Sequence, residues 1–505
     1  MKFIPKGLIV SSQALDGNPM KDPKMLAAMA KAAELGGAVS IRANGADNIA
    51  EMKKLLTVPI IGLNKIADRD GTIIITPDFA RAEEIASVGA DIIALDATLR
   101  KSPIKQDTRE LIKQIHDRLH LPVLADVSNA REAAFAAEAG ADYISTTLSG
   151  YTKDRPYAPE DKYFPDFELL HEILSGGLSV PLIAEGRFWR AEDVERAMRM
   201  GVHGIVIGKA VTNPMAITEY FAKAAARGAD TSYTVTESVN EQTKNIDRMN
   251  TYGILQKIGR EDERAAHCVA DCYAEIAHTV DEILPRFLRD GRLIYCGAGT
   301  SGRLGVADAA ECPPTFGIPL GKVVAVIAGG RDAVFTAQEY REDDESAGRA
   351  EAEKLAVCSD DSVILLSANG NANFLLGFLK EARSRGAFTC AIVNNRETAL
   401  AAAAECKIEL LTGAEVIKGS TRMKAGTAQK MTLNMISTAL FIRSGYVEGN
   451  LMVNIRPTNA KLHKRAVSMF CLLTGERESV AEKYFRDGKT SVKEAVERWR
   501  TGREE

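Results

Sequence analysis

Two α/β units in tandem are what the sequence predicts: a (β/α)8 barrel, then a doubly wound parallel sheet with flanking helices. Three observations carry the prediction. From Gly7 to Arg227, short apolar runs alternate eight times with amphipathic helical stretches. Near Leu293 an apolar run stops at a glycine-rich turn, and helical spacing resumes at Arg303. The chain has 505 residues, and single cores stop growing at about 250–300 residues.

The eight runs of the first half are GLIVSS, AVSIRA, VPIIGL, DIIALD, PVLADV, DYISTT, VPLIAE and GIVIGK. They are apolar on both faces, as parallel strands beneath helices must be. Helical patterns between them include Arg81–Ala90, Asp107–Leu119, Ala130–Gly140 and Ala191–Gly201. Gln13, Arg42, Lys65, Asp96, Asp126, Thr146 and Glu185 lie at or just past successive strand ends. In a barrel those ends meet at one mouth, where catalytic side chains gather. A single polar residue there is usually a helix cap, and Asp126 could cap the helix after Ser128. Seven in succession, a lysine and a glutamate among them, point to a site. Glu185-Gly186-Arg187 and Gly208-Lys209 follow the seventh and eighth strands, the habitual phosphate corner of this barrel.

SSQAL, SIRANG, IIALDAT, TTLSGYT, IAEGR and VIGKAVTNP make residues 1 to about 226 similar to the N-acetylmannosamine-6-phosphate 2-epimerases. The resemblance implies interconversion of N-acetylmannosamine 6-phosphate and N-acetylglucosamine 6-phosphate. It implies Lys65 and Glu185 as catalytic residues, and Arg42, Gln13, Asp126 and Thr147 as substrate contacts. Gly186, Arg187, Gly208 and Lys209 join them as phosphate-corner candidates. Lys209 stands where a small residue is usual, and Asn213 where an arginine is. Inverting C2 needs proton removal while C1 is an open-chain aldehyde, and a desolvated lysine can be neutral enough to do it. No redox cofactor or metal is required.

Ala229-Asp230-Thr231-Ser232 is polar and weakly patterned, so the units are expected to join there, the first spanning 1–228 and the second 234–505. Residues 240–289 carry apolar positions at helical spacing (Leu255, Ile258, Val269, Ile276, Val280, Ile283), which cover a core or a partner subunit. Strands are expected near Leu293, Val323, Val363, Cys390 and Ile408, with ligands at their C-terminal ends. The first ends in Gly297-Ala298-Gly299-Thr300-Ser301-Gly302. Such a turn aims backbone N–H groups and a positive helix end at an anion. It fits G-x-G-x-x-G, but no acid closes the next strand to hold a ribose. Thr300 and Ser301 offer hydroxyls, so the turn suits a sugar phosphate better than a dinucleotide.

GAGTSGRLGVADAAECPPTFG, Ala328-Gly329-Gly330, Glu342-Asp343-Asp344 and GSTRMKAGTAQK make residues 234–470 resemble the N-acetylmuramic acid 6-phosphate etherases, whose core is a sugar-isomerase (SIS) domain. The resemblance implies removal of the lactyl ether at C3, giving N-acetylglucosamine 6-phosphate and D-lactate. Glu342 would take the C2 proton, and Glu311, placed after the first helix, would protonate the departing lactate oxygen. Thr300, Ser301, Gly302, Asn369, Ser420 and Lys424 are the substrate-binding candidates. Asn369-Gly370-Asn371-Ala372-Asn373-Phe374 departs from the family's Ser-Gly-Arg-Thr-Pro-Tyr, losing a hydroxyl and an arginine. The resemblance also implies a homo-oligomer, dimeric through this half. The segment 471–505 is charged and helical and reads as a small cap.

Composition excludes other classes. Net charge is −4, giving no reason for nucleic acid or an anionic bilayer. No apolar run reaches membrane-spanning length, and Met1–Lys6 has no signal-peptide layout, so a cytoplasmic enzyme is expected. The eight cysteines lie between Cys268 and Cys471 without a C-x-x-C pair, which suits reduced thiols. His267, Cys268 and Cys272 lack a fourth ligand, so no metal site is expected. Two functions stand: a bifunctional amino-sugar phosphate enzyme, or an epimerase fused to an SIS module that only binds and regulates.

Overall fold

The computed structural model describes residues 3–14, 17–156, 161–229, 236–338, 340–457, 459–485 and 490–502. The chain divides into two compact units, Met1–Thr231 and Ser232–Glu505. Of the expected joint, residues 230–235 lie outside the described residues, and so does Leu15 of the SSQAL motif.

In the first unit the strands are β1 (Gly7–Ser11), β2 (Ser40–Asn44), β3 (Ile60–Leu63), β4 (Lys65–Ala67), β5 (Ile73–Ile75), β6 (Ile92–Asp96), β7 (Val123–Asp126), β8 (Tyr143–Ser145), β9 (Leu182–Glu185) and β10 (Gly204–Ile207). Eight of them close a parallel barrel in the order β1-β10-β9-β8-β7-β6-β3-β2. Its interior is packed by Ile9, Ile61, Leu63, Ile92, Ala94, Leu124, Ile183 and Val206, all buried. Such layers of branched side chains fill a barrel from below and leave its upper rim for polar groups. β4 and β5 form an antiparallel hairpin on that rim, pairing Lys65 with Ile75. The hairpin was not expected from the sequence.

Helix starts in this unit are capped by their own loops. Asp22, Asp78, Asp107, Asn129 and Asp166 each accept a backbone N–H of the first turn, the favoured chemistry for that position. Asn129 caps the helix Ala130–Glu138, accepting from the Glu132 N–H at 3.0 Å. Asp126 is therefore not a cap. The helix expected over Asp107–Leu119 is α-helical only over Thr108–Gln114 and widens to a π turn over Ile115–Leu119.

The second unit opens with helices Thr251–Ala270 and Tyr273–Leu288. Leu255, expected to cover a core or a partner subunit, is exposed in the single chain. A parallel sheet follows: β11 (Leu293–Gly297), β12 (Val323–Ile327), β13 (Ser362–Ser367), β14 (Phe388–Val393) and β15 (Cys406–Glu409), ordered β12-β11-β13-β14-β15. Both faces are covered. Leu293 and Tyr295 point into one core with Ile436 and Phe441, whereas Ile294 and Cys296 point into the other with Leu375 and Phe378. That is the period-two alternation of a strand under helices on both sides.

The helix after β11 runs from Gly299 to Phe316 and contains Pro313 and Pro314. Glu311 therefore lies inside this helix, not after it. Prolines remove N–H donors and usually stop a helix. Here the loss falls in the last turn, which Gly317 closes in the left-handed region, its N–H bonding the Pro313 carbonyl at 2.9 Å. At the C-terminal end, helices Ala460–Thr474, Glu478–Tyr484 and Val492–Arg500 enclose a core of Phe470, Tyr484, Phe485 and Val496.

Candidate functional site

The barrel mouth is organised around Arg42 at the end region of β2. Its guanidinium is buried and donates two hydrogen bonds to Asp126, at 2.9 and 2.5 Å, and one to Glu185 at 2.9 Å. Thr147 sits among the same groups, donating to Asp126 at 2.5 Å and to Glu185 at 2.9 Å, and accepting from Arg42 at 3.2 Å. A fork-on-fork pair of this kind fixes orientation as well as charge. Arg42 Nε is buried without a hydrogen-bond partner among the described residues. Burial alone would lower the Arg42 pKa, but the charges of Asp126 and Glu185 outweigh it and hold it above its ordinary value.

Lys65 opens β4 beside this cluster. Its Nζ donates to Gln13 Oε1 at 2.7 Å, and Gln13 is held in turn by the Ser11 hydroxyl at 2.9 Å. Its backbone N–H is fixed by Asn44 Oδ1 at 2.9 Å. Burial pushes the Lys65 pKa down and the nearby Arg42 charge adds to this, while Glu185 and Asp126 pull the other way. Burial pushes the Glu185 pKa up, against the Arg42 charge. The two shifts run in the directions that favour proton transfer between groups on one rim.

Two of the seven strand-end residues do other work. Asp96 anchors its own loop, accepting from Thr98, from Arg100 Nε at 3.1 Å and from Lys105 Nζ at 3.0 Å. Thr146 clamps the Glu185 backbone, accepting its N–H and donating to its carbonyl, both at 2.9 Å. Gly186 and Arg187 both have positive φ, 116° and 62°. Arg187 uses its guanidinium on the Phe164 and Ser149 carbonyls, at 2.8 and 3.1 Å, and these bonds hold the loop after β9. Gly208 precedes the short helix Lys209–Thr212. Lys209 is exposed there and close enough to depress Lys65 further. Asn213 caps the next helix, accepting from the Ala216 N–H at 3.1 Å. Asn44 and Ser11 escaped the sequence reading; Asn44 ends the SIRAN strand and carried the same strand-end signal as its neighbours.

In the second unit the glycine turn makes a close strand-to-helix crossing. A Cβ on Gly297 would stand 2.6 Å from Gly302 Cα, and one on Gly302 would meet Ile327 at 2.7 Å. The helix Gly299–Phe316 has no side-chain cap, so its first N–H groups, with the hydroxyls of Thr300 and Ser301, can face an anion. Gly302 cannot contribute its N–H, which bonds the Ala298 carbonyl at 3.1 Å; its part is the close crossing. Ser420 is half-buried in the loop before the helix Lys424–Arg443. Lys424 is a correction to the sequence reading. It is fully buried, paired with Glu261 and donating to the Ala414 carbonyl at 2.6 Å, so it braces helices and does not face a ligand.

Glu311 and Glu342 are both exposed, and neither has a hydrogen-bond or ion-pair partner among the described residues. Glu342 lies in a single 3-10 turn, Arg341–Asp343. Asn369 is exposed, and its Oδ1 accepts from the Ser367 hydroxyl at 2.9 Å and the Asn371 N–H at 3.1 Å. That amide oxygen is thereby used within the loop.

Each unit thus presents polar groups at the C-terminal ends of a parallel sheet, the usual ligand position of α/β enzymes. Residues 26–227 match the N-acetylmannosamine-6-phosphate epimerase family. Residues 275–383 match the glucokinase regulatory protein N-terminal SIS domain, and 345–439 the SIS domain. An N-acetylmuramic acid 6-phosphate etherase of Halalkalibacterium halodurans is 46% identical over 261 residues, 52% of this chain and 88% of the relative. One from Edwardsiella ictaluri is 48% identical, covering 46% of this chain and 78% of the relative. Over its C-terminal half, the chain belongs to the N-acetylmuramic acid 6-phosphate etherase family. The structure of an N-acetylmannosamine-6-phosphate 2-epimerase from Clostridium perfringens is 37% identical, covering 44% of this chain and 94% of that one, with a TM-score of 0.42.

Proposed function

We propose that the chain is a bifunctional enzyme of amino-sugar catabolism. Its first unit interconverts N-acetylmannosamine 6-phosphate and N-acetylglucosamine 6-phosphate. Its second cleaves the lactyl ether of N-acetylmuramic acid 6-phosphate to N-acetylglucosamine 6-phosphate and D-lactate. The observation that carries the first half is the cluster on one barrel rim, where Arg42 bonds Asp126, Thr147 and Glu185 and Gln13 holds the Lys65 Nζ beside them. In the open-chain sugar, neutral Lys65 takes the C2 proton and the carbanion delocalises into the C1 carbonyl. Arg42, pinned by Asp126, faces the developing oxyanion with a buried charge. Glu185 positions the substrate or shuttles a proton on the same rim, C2 is reprotonated on its opposite face, and the loops after β9 and β10, with Lys209, take the phosphate.

In the second unit the phosphate sits at the start of the helix Gly299–Phe316. Glu342 takes the C2 proton, Glu311 protonates the lactate oxygen, and water adds at C3. Both carboxylates are open to solvent in one chain, which suits a homodimer through this unit. The match to the regulatory SIS domain favours a binding-only module as the second reading. The similarity to several etherases at 41–48% identity favours catalysis. The test of the first half is conversion of N-acetylmannosamine 6-phosphate in D₂O. Deuterium should appear at C2 of the product, and epimerisation should fall by about 10²–10⁴-fold in Lys65→Ala. Product without C2 exchange removes the proton-transfer mechanism.

A further inference from the structure

The segment after residue 235 runs across the C-terminal ends of the second unit's sheet, and it is nailed down at three points. Thr236 is fully buried; its N–H bonds Asn395 Oδ1 at 3.0 Å and its hydroxyl accepts from Asn395 Nδ2 at 3.1 Å. Asn395 also donates to the Ala368 carbonyl at 3.1 Å, directly after β13. Asn240 donates to Glu261 at 2.8 Å and to the Ala414 carbonyl at 3.3 Å. Thr243 donates to the Val416 carbonyl at 2.8 Å. Between these buried anchors stands Glu237, which is exposed and has no hydrogen-bond or ion-pair partner among the described residues.

Its carboxylate lies against the loop that leads into the helix Lys424–Arg443. Gly419 has a φ of 74°, and a Cβ there would come within 3.0 Å of Glu237 Oε2. Gly419 leads into Ser420 and the start of the helix Lys424–Arg443. In the same stretch a Cβ on Gly426 would lie 3.6 Å from Thr300 Cγ2. Glu237 thus lies against one end of the 419–426 loop and Thr300 against the other, at the sheet end proposed above for the phosphate. A free carboxylate on rigid backbone, beside an anion site, would repel phosphate and attract hydroxyl or amide N–H donors. It belongs at the sugar end of the ligand.

We propose that Glu237 is a substrate-binding residue of the second unit, accepting hydrogen bonds from the hexosamine ring of the sugar phosphate. This rests on the etherase reading above. It predicts a split that loop distortion would not give. In full-length protein, Glu237→Gln and Glu237→Ala should raise KM for lactate release from N-acetylmuramic acid 6-phosphate roughly 10- to 100-fold. The kcat and the inhibition constant of inorganic phosphate should stay within about twofold. An unchanged KM, or equal weakening of inorganic phosphate, overturns the proposal. If wild type releases no lactate, the etherase reading fails and hydrogen exchange decides this one separately. N-acetylglucosamine 6-phosphate should then protect peptides from 299–316 and 419–430 in wild type more than in Glu237→Gln, while inorganic phosphate protects both equally. Equal protection by the sugar phosphate in the two proteins overturns it.

Discussion

Asp126→Asn is the most revealing single change in the barrel. It removes the charge from a carboxylate that accepts two hydrogen bonds from Arg42 and one from Thr147, at 2.9, 2.5 and 2.5 Å. Both partners of the pair are within 1% of complete burial. Breaking a buried ion pair by removing one partner costs about 3–5 kcal/mol, because the survivor stays buried. Arg42 keeps Glu185 at 2.9 Å, so the lower end applies, about 3 kcal/mol. In a unit of this size that lowers Tm by roughly 6–12 °C. Calorimetry of the full chain should show the fall in the barrel's transition, with that of the second unit unmoved. The triple variant Arg42→Met, Asp126→Leu and Glu185→Met replaces the whole ionic cluster and should regain much of the loss, since apolar replacement of a buried pair or triad is often near neutral, yet remain without epimerase activity. A loss below about 1 kcal/mol in Asp126→Asn would refute the view that this pair organises the mouth.

Other perturbations test the remaining assignments. Because the Lys65 pKa lies below 10.5 in the folded unit, the unfolded chain binds more protons between the two values. Barrel stability should therefore rise with pH as the folded pKa is passed and level off above about 10.5; Lys65→Met should flatten that rise in pH-dependent melts. Lys424→Met leaves buried Glu261 with only its longer pair to Arg264, at 3.7 Å, so it should destabilise the second unit by about 3 kcal/mol with little change in KM of the remaining folded enzyme. Ala372 precedes the helix Asn373–Ser384 without a side-chain cap. Ala372→Thr should add one, raising stability by about 0.5–2 kcal/mol in thermal melts. With Asn369→Ser, it should also improve lactate release at low substrate.

Most of the architecture was legible because both sheets are parallel and buried on two faces, so their strands read as uninterrupted apolar runs. The β4–β5 hairpin was not, because Lys65–Ala67 and Ile73–Ile75 are three residues each, too short for a period to show. Glu311 was placed after the first helix, since sequence does not reveal that the hydrogen bonds lost at Pro313 and Pro314 fall in a final turn closed by Gly317. Asp126 looked like a cap locally; its partner Arg42 is 84 residues away. Lys424 looked like a substrate contact because it sits in the motif GSTRMKAGTAQK. Its role is set by Glu261, 163 residues earlier, and no local pattern carries that information. Glu237 escaped for the same reason: only the fold brings Gly419 to it and Asn395 to its neighbour Thr236.

The proposal that both units act on one amino-sugar phosphate pool can be tested in a single tube. N-acetylmuramic acid 6-phosphate is given to the full-length protein in D₂O, and the reaction is followed by proton NMR. D-lactate should appear first, with N-acetylglucosamine 6-phosphate deuterated at C2, and N-acetylmannosamine 6-phosphate should grow in behind it. Lactate without the manno epimer would contradict the barrel's assignment, and no lactate at millimolar substrate would contradict the etherase.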